Sequence, residues 1–510
     1  MFHWKKAVVI VTAAVLALTG CSAGGSGGSA GSSSGGTLTL GLITPVSSFS
    51  AQGANWANQS PPMQAVYDSL LKAEADGTIV ANLATDWSYN ADNTVLDLTL
   101  RSDVKFSDGT PFNADAAAQN LIRFRDGTSP NASFLVNLKD AKAIDDTHVE
   151  LTLKAPDPAL LTYLTQNAGL QESPAAFTNA DVETVPVGSG PYTLNVGETV
   201  VGNTYVFDKN PNYWNPSDQH YDKVVMNYYA DSTSLLNAIQ GGQVNASTTI
   251  DNTTLSQIEA AGYTLSPIEN NWWGLIIGDR AGTLNPAIGN VKVRQALNYA
   301  FDRDAMLKAF ADGHGTTTEQ IFPTTSPSYD EALNKTYSYD PAKAKQLLAE
   351  AGYPNGFDLT MPSSAAFGAS NFALVQQQLA DIGIRVTFED LQVNDYITAL
   401  VSGKYPVALM ALQLDPTDWQ LAQFSIDKNA TFNGFHTDDP TVQGYIATLQ
   451  TGSQADAETA GKALNEYIVE QGWFAPWFRP ELNFVSDANT DLTVQVGNSY
   501  PYLWNIKPKS

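Results

Sequence analysis

The stretch QLDPTDW at 413–419 places two carboxylates and an indole ring directly after the apolar run VALMAL at 407–412. A carboxylate shielded from water pairs strongly with an ammonium group, and a flat ring adds contact area at low entropic cost. Loops at the carboxyl ends of the strands of an open parallel sheet commonly carry ligand sites. Asp415, Asp418 and Trp419 are therefore candidates for ligand binding. The alternative is that Asp415-Pro416 only forms a turn after a strand.

Catalytic motifs give no comparable signal. The five histidines are scattered, and none forms a metal-ligand motif with another residue. The nucleophile pattern G-x-S-x-G occurs at 24–28, but it lies in a Gly/Ser run with no strand before it and no helix after it. A pair of glycosidase carboxylates stays possible among the many acids. We predict a protein that is not an enzyme, with no catalytic residue, metal or cofactor.

The elements that must position Asp415 form the most regular part of the sequence. We expect strand, helix, strand, helix, strand at 357–361, 371–382, 384–391, 395–401 and 407–412. This order is typical of a parallel α/β unit. Before it we expect one helix at 291–310 and another at 340–351, which Asp340 caps and Gly352 ends.

The amino-terminal part has a different pattern. TLTLGLI from Thr37 alternates as a strand, and DGTIV at 76–80 predicts a hairpin. The alternation at 94–109 predicts a second hairpin, so this part is expected to be α+β. The chain has 510 residues and a formal net charge of −25, which argues against nucleic acid as a partner.

The single cysteine, Cys21, follows a leader that is typical of secretion. Two lysines precede twelve uncharged residues at 7–18, which as a helix would rise about 18 Å, less than the ~30 Å of a bilayer core. Leu18-Thr19-Gly20-Cys21 resembles a bacterial lipobox, whose cysteine carries a lipid. We expect a signal peptide at 1–20, lipidation of Cys21 and a flexible linker at 21–36. The alternative is an incidental cysteine.

Four longer stretches resemble one family. They are 81–124, PVGSGPYTL at 186–194, NVKVRQALNYAFDRDAML at 290–307 and YDPAKAKQLLAEAGYPNGFDLTM at 339–361. Together they are similar to the family 5 extracytoplasmic solute-binding proteins of peptide and nickel ABC importers. The resemblance implies an α/β fold of the type II periplasmic-binding-protein kind, with two lobes around a cleft and an extra α+β subdomain in lobe I.

The resemblance also implies a domain plan. Lobe I would comprise 37–61, 187–266 and 482–510, its extra subdomain 62–186, and lobe II 267–481. Most of the matching motifs are expected to be structural: Arg294, Asp302 and Arg303 to hold a helix in place, and SDGTPF to make a tight turn.

The site residues follow from the resemblance in the same way. Aligned without gaps, Asp415 falls on the family aspartate that receives the α-ammonium of a peptide, whereas a rival register leaves Leu412 at that position. Trp419 follows in the same loop. Phe49, Asn55 and Trp56 on the first loop, and Trp272 and Trp273, are further ligand-binding candidates. Core packing is the alternative for each of these.

The resulting hypothesis is a lipid-anchored, monomeric receptor on the extracytoplasmic face of the cell membrane. It would capture a solute, foremost an oligopeptide, by hinge closure and deliver it to the permease subunits of an ABC importer. An oligosaccharide or another amine is the alternative ligand. A secreted hydrolase and a ligand-sensing subunit are the alternatives from other classes.

The lipid anchor yields a first prediction. Cys21→Ser should move the protein from the membrane fraction to the soluble fraction, because each buried methylene of the acyl chains contributes about 0.8 kcal/mol and the variant would carry no chains. Fractionation followed by immunoblotting measures this, with Ser22→Ala as the matched control. A Cys21→Ser protein that stayed wholly in the membrane fraction would rule out the anchor.

Overall fold

The structure is a computed structural model that describes residues 35–249, 251–495 and 497–509. The expected signal peptide at 1–20, the lipidated Cys21 and all but the last two residues of the linker at 21–36 lie outside these described residues. Within the described ranges, no helix has the length and apolar character needed to cross a membrane.

Strands and helices follow one another along the chain without a fixed repeat. The strands, numbered β1 to β20 in chain order, are Thr37–Leu42, Leu71–Ala73, Ile79–Ala81, Ala84–Tyr89, Val95–Leu100, Leu138–Ala143, His148–Leu153, Tyr192–Leu194, Thr204–Lys209, Lys223–Tyr228, Ala246–Thr249, Thr264–Glu269, Asn271–Ile277, Gly315–Thr317, Asp358–Ser363, Arg385–Asp390, Val407–Gln413, Phe474–Ser486, Thr490–Leu492 and Ile506–Pro508. The α-helices, α1 to α13, are Ser60–Val66, Ala114–Arg125, Leu160–Tyr163, Ser232–Gln240, Leu255–Ala260, Val291–Tyr299, Arg303–Ala311, Pro341–Glu350, Ala369–Asp381, Val393–Val401, Asp418–Leu421, Pro440–Thr451 and Gln454–Glu470.

The largest sheet starts with β1, which confirms the strand expected from TLTLGLI. β1 pairs in parallel with β10 and β11, and β9 and β8 extend the sheet beyond β10 as antiparallel strands. Leu38, Leu40 and Leu42 of β1 are all buried, together with Val224 and Met226 of β10. The apolar residues of period two thus belong to one buried hydrophobic cluster beside this sheet.

One long strand, β18, joins this sheet to the rest of the molecule. Its carboxyl-terminal part pairs with β11 and β12, and its amino-terminal part pairs with β13. β13 in turn pairs along its whole length with β17. The chain therefore crosses between two groups of strands at Asn270, which separates β12 from β13, and again inside β18.

The α/β unit after residue 357 is confirmed in its elements and corrected in its pairing. β15 and β16 are parallel, and α9 connects them, as expected. β17, however, is not hydrogen-bonded to either of these strands. All seven of its residues instead pair antiparallel with β13. An apolar strand that is buried on both faces can pair with strands from elsewhere in the chain, and its sequence does not indicate which strands these are.

The helix expected at 291–310 is two helices. α6 ends at Tyr299 and α7 begins at Arg303, because Asp302 leaves helical geometry and its side chain accepts the Ala305 N–H at 3.0 Å. Aspartate is a preferred residue at this capping position. The expected helix after Asp340 is confirmed: the Asp340 side chain accepts the Lys343 N–H at 2.8 Å.

An antiparallel sheet in the order β4, β5, β7, β6 forms the extra subdomain, and α2 packs against it. The hairpin expected at DGTIV is confirmed by β2 and β3. The hairpin expected at 94–109 is wrong, since only Val95–Leu100 is a strand and its partners are β4 and β7. Beyond it lies the tight turn expected in SDGTPF, where Asp108 accepts the Thr110 N–H at 2.9 Å.

Arg303, the first residue of α7, connects this helix to β18 through a buried side chain. The side chain is 8% exposed, and its guanidinium donates to backbone carbonyls rather than to a carboxylate. It reaches Thr318 O at 3.1 Å, Pro476 O at 3.0 Å and Tyr337 O at 2.8 Å. The structural role expected for this residue is therefore supported by its contacts.

Replacing Arg303 should test that role. Arg303→Met leaves at least three buried carbonyls without a donor, and we expect the free energy of unfolding to fall by about 3 kcal/mol. Urea denaturation measures the difference. The control is Arg385→Met, because Arg385 is exposed and pairs with exposed Asp358, so its loss should change stability by less than about 0.5 kcal/mol. Equal losses in the two variants would contradict the prediction.

Candidate ligand-binding site

Asp415 lies where β17 ends, next to the point at which the chain crosses between the two groups of strands. Gln413, the last residue of β17, is paired with Asn271 at the start of β13. The following residue, Leu414, donates its backbone N–H to Asn270 O at 2.8 Å. The crossing segment thus fixes the backbone immediately before Asp415.

A cavity of about 700 Å³ opens beside Asp415, between the four-stranded subdomain and the segments that follow β17. Five aromatic residues line it: Trp56, Phe134, Tyr163, Trp419 and Phe424. Asn or Gln side chains occur at eight positions of the lining, and two carboxylates, Asp415 and Asp427, are the charged groups. This combination suits a ligand with both apolar and hydrogen-bonding parts. We call this space the acidic cavity.

The Asp415 carboxylate is not paired inside the protein. The residue is half-buried, and no donor among the described residues forms a hydrogen bond with its side chain. Burial raises the pKa of the Asp415 carboxyl to about 7. Burial, and after it the nearby carboxylates of Asp157 and Asp415, also raises the pKa of Tyr163. A cationic group entering the acidic cavity would offset this cost.

Trp56 lines the same cavity from the first loop. Its side chain is 4% exposed, and its indole N–H has no acceptor among the described residues. The neighbouring Asn55 is half-buried and uses its side-chain oxygen to accept the Trp56 backbone N–H at 2.8 Å. Asn55 therefore shapes the loop, and Trp56 presents a ring to the cavity.

Trp419 contacts the opposite face of the cleft. Its indole N–H donates to Asp157 Oδ1 at 3.1 Å, so a residue after β17 binds the extra subdomain. Close by, the Gln450 side chain donates to Pro156 O at 3.0 Å. These two bonds close one edge of the acidic cavity.

Asp418 lies outside the acidic cavity. Its carboxylate accepts hydrogen bonds from the hydroxyl groups of Ser326 and Ser328, and it does not line the acidic cavity. Asp418 is also the first residue of the short helix α11, where a negative charge is favourable. Its contacts are those of a structural residue.

Phe49 and Trp272 lie in the core, which is the alternative that the sequence left open for them. Phe49 is 2% exposed and packs edge-on against Tyr205, with ring centroids 5.6 Å apart. Trp272 is 1% exposed and packs against Phe474 in the same way. Side chains alternate between the faces of β13, so Trp272 points into one core while Trp273 points to the other face.

Trp273 lines a second cavity of about 950 Å³. Its ring stacks on Phe478 with centroids 6.2 Å apart, and Phe310 and Phe367 meet it edge-on. Ala57 and Gln413 line both this cavity and the acidic cavity. Trp273 thus lies on the wall of the second cavity, whereas Asp415 lines the acidic cavity.

Several lining residues were not expected from the sequence. Gln420, Gln443 and Asp427 come from the segments after β17, and Phe134 and Tyr163 come from the extra subdomain. Single amides and rings carry no motif, so only the tertiary contact brings them together. The described residues contain no group of three His, Cys, Asp or Glu side chains placed to hold a metal ion.

Comparison with known proteins identifies the family. The model of the bacterial extracellular solute-binding proteins, family 5 Middle, matches residues 78–432, which is more than half of the chain. The chain belongs to this family. Family 5 proteins bind solutes for ABC importers, and the two-lobed α/β fold described above is theirs.

Individual relatives agree with this assignment. The glutathione-binding protein GsiB of Escherichia coli K12 is 29% identical over 433 residues, which cover 81% of this chain and 82% of that protein. Two solved structures have a similar fold over 93% of this chain. HbpA2 of Haemophilus parasuis has a TM-score of 0.82 at 21% identity and is covered fully, and DppA of Helicobacter pylori, in complex with the peptide STSA, has 0.76 at 22% identity and is covered to 98%.

The pKa of Asp415 generates a prediction for the protein without ligand. In the unfolded chain the carboxyl titrates near 3.9, about its ordinary value, whereas the folded protein keeps the proton up to a pH of about 7. The folded state therefore binds more protons between these values, and the parent loses stability as pH rises through this window. Asp415→Asn does not titrate, so its gain in melting temperature over the parent should grow from pH 4 to pH 7 and then level off.

Calorimetric melting across this pH range measures the gain. Asp92→Asn is the control, because Asp92 is exposed in a loop and has no side-chain hydrogen bond among the described residues. Its difference from the parent should stay constant. A constant difference for Asp415→Asn as well would mean that water, and not the protein, surrounds that carboxylate.

Proposed function

We propose that this family 5 protein is the lipid-anchored receptor of an ABC importer and that it captures short peptides by their α-ammonium group. The observation that carries the proposal is the half-buried Asp415 carboxylate, which lines the acidic cavity and has no hydrogen-bond partner among the described residues. An ammonium ion is the group that satisfies such a carboxylate best, since it supplies both charge and hydrogen bonds. Leu412, which the rival register would place there, also lines the cavity but is apolar.

Two relatives support a peptide ligand. The E. coli relative is named for binding glutathione, itself a tripeptide, and the H. pylori protein of similar fold holds the peptide STSA. In this chain the aromatic and amide lining of the acidic cavity fits a backbone with mixed side chains. The same lining also suits a sugar, so the mass of a co-purified ligand, read by native mass spectrometry, would separate the two ligand classes.

Closure of two lobes is the proposed mechanism, and the receptor performs no bond chemistry. Lobe I would comprise 37–61, 187–266 and 482–510 with the subdomain 62–186, and lobe II 267–481. The crossings at Asn270 and within β18 lie within a few residues of the boundaries at 266/267 and 481/482 and would act as the hinge. A ligand that contacts both faces favours the closed form by its differential affinity.

The remaining parts of the proposal concern location and partners. The lipid on Cys21 would hold the monomeric receptor at the extracytoplasmic face of the cell membrane, and the linker would let it reach the permease subunits. A formal net charge of −25 keeps such a receptor soluble outside the cell.

Binding of a peptide and of its acetylated form tests the proposed role of Asp415. Loss of one member of a buried charge pair costs about 2–5 kcal/mol, which is roughly 30-fold to several-thousandfold in Kd. Ala-Ala-Ala should lose affinity to this extent when its amino group is acetylated, and also when the protein carries Asp415→Asn. Because both changes remove the same interaction, the second should add little to the first. Isothermal titration calorimetry at pH 8 measures all four combinations.

Trp273→Phe serves as the matched control at the second cavity. It should leave the ratio between free and acetylated peptide unchanged, since Trp273 does not line the acidic cavity. The proposal is wrong if Asp415→Asn melts normally and binds Ala-Ala-Ala within threefold of the parent. Asp415 would then be only a turn residue.

A further inference from the structure

The acidic cavity contains a second carboxylate whose position is built into the fold. Asp427 follows the π-helical turn at Ala422–Ile426, and its backbone N–H donates to Ala422 O at 2.8 Å. Its backbone oxygen accepts from the side chain of the fully buried Asn433 at 3.0 Å. Asp427 is therefore held in place at both ends of its backbone.

The side chain of Asp427 keeps one oxygen available. Oδ1 accepts the Asn429 backbone N–H at 2.8 Å, and no donor among the described residues reaches Oδ2. The adjacent Lys428 does not neutralise it, because Lys428 is exposed, forms its ion pair with Asp438 at 3.2 Å and does not line the cavity. Asp427 thus offers a charged hydrogen-bond acceptor to a ligand in the acidic cavity.

No positive charge balances the two carboxylates. Among the described residues that line the acidic cavity there is no lysine, arginine or histidine. An anionic group inside it would face Asp415 and Asp427, and like charges beside the low-dielectric protein repel more strongly than in bulk water. A cationic group would be attracted by both.

Unpaired polar atoms also occur in the wall of the acidic cavity. Trp56 and Gln420 are more than nine-tenths buried, and the Trp56 indole N–H and the Gln420 Oε1 have no partner among the described residues. The Gln443 Nε2 is also unpaired. All three residues line the acidic cavity, so polar atoms without a partner lie within its wall.

We propose that Asp427 forms a second cation subsite, so that the receptor selects peptides with a basic side chain and rejects acidic ones. This inference rests on the proposed function, in which Asp415 takes the α-ammonium. Glutathione carries two carboxylates and one ammonium group, so this chain would differ in ligand from the relatives that are named for it.

Tripeptide amides test the subsite, because amidation removes the carboxyl-terminal charge. We would compare peptides that carry Lys, Ala or Glu at the second or third position, together with glutathione, by isothermal titration calorimetry at pH 8. At one of these positions the Lys peptide should bind at least tenfold more tightly than the Glu peptide, and glutathione should bind more weakly than the Lys peptide.

Variants of Asp427 distinguish a local cation subsite from the overall negative electrostatic potential of the protein. Asp427→Asn keeps an oxygen that can accept from Asn429 and should reduce the Lys-to-Glu ratio to threefold or less, and Asp427→Lys should invert the order. Asp381→Asn is the control for net charge: Asp381 is an exposed residue of α9 that does not line the cavity, and the ratio should stay as in the parent. Thermal melting confirms that each variant is folded.

The outcomes distinguish this inference from the proposed function. Asp415→Asn should weaken the Lys, Ala and Glu peptides together and leave their order unchanged. If the peptides bind through Asp415 but Lys and Glu bind equally, or if Asp427→Asn leaves the ratio unchanged, the second subsite is wrong and the proposed function stands. If no peptide binds the folded parent, both proposals are wrong.

Discussion

The backbone hydrogen bonds of β18 are the constraint on which the arrangement of the molecule depends. The amino-terminal half of this strand pairs with β13, and its carboxyl-terminal half pairs with β11 and β12. One continuous strand therefore belongs to two groups of strands. Strand pairing fixes register, because a shift of one residue would turn every side chain to the opposite face. The loop that carries Asp415 follows β17, which pairs with β13, and β13 pairs with β18. The position of Asp415 therefore depends on these strand pairs.

The binding site combines an energetic cost with the means to offset it. A partly buried carboxylate without a hydrogen-bond donor among the described residues destabilises the folded protein, and the raised pKa of Asp415 reflects that cost. The unpaired polar atoms of Trp56 and Gln420 add to it. A ligand that supplies an ammonium group to Asp415 would offset the cost of that carboxylate, and this gain would contribute to its binding free energy.

Local features of the fold could be predicted from the sequence, whereas long-range partners could not. The cap at Asp340, the first strand and the parallel pair β15 and β16 follow from patterns of a few residues. The pairing of β17 with β13 joins segments more than a hundred residues apart, and neither strand carries a signal for the other. The site shows the same division: Asp415 and Trp56 could be named from their loops, but Tyr163 and Asp427 meet them only through tertiary contact.

The bond from Trp419 to Asp157 links the segment after β17 to the extra subdomain, so in the proposed closing mechanism it would stabilise the closed form before any ligand contributes. Asp157 is buried and does not line the acidic cavity, yet its carboxylate holds the closed edge together. The apparent Kd of any ligand equals its intrinsic Kd divided by the fraction of receptor in the binding-competent form. In that mechanism, a change at Asp157 would alter this fraction by the same factor for every ligand, so it would shift the apparent Kd values of all ligands together.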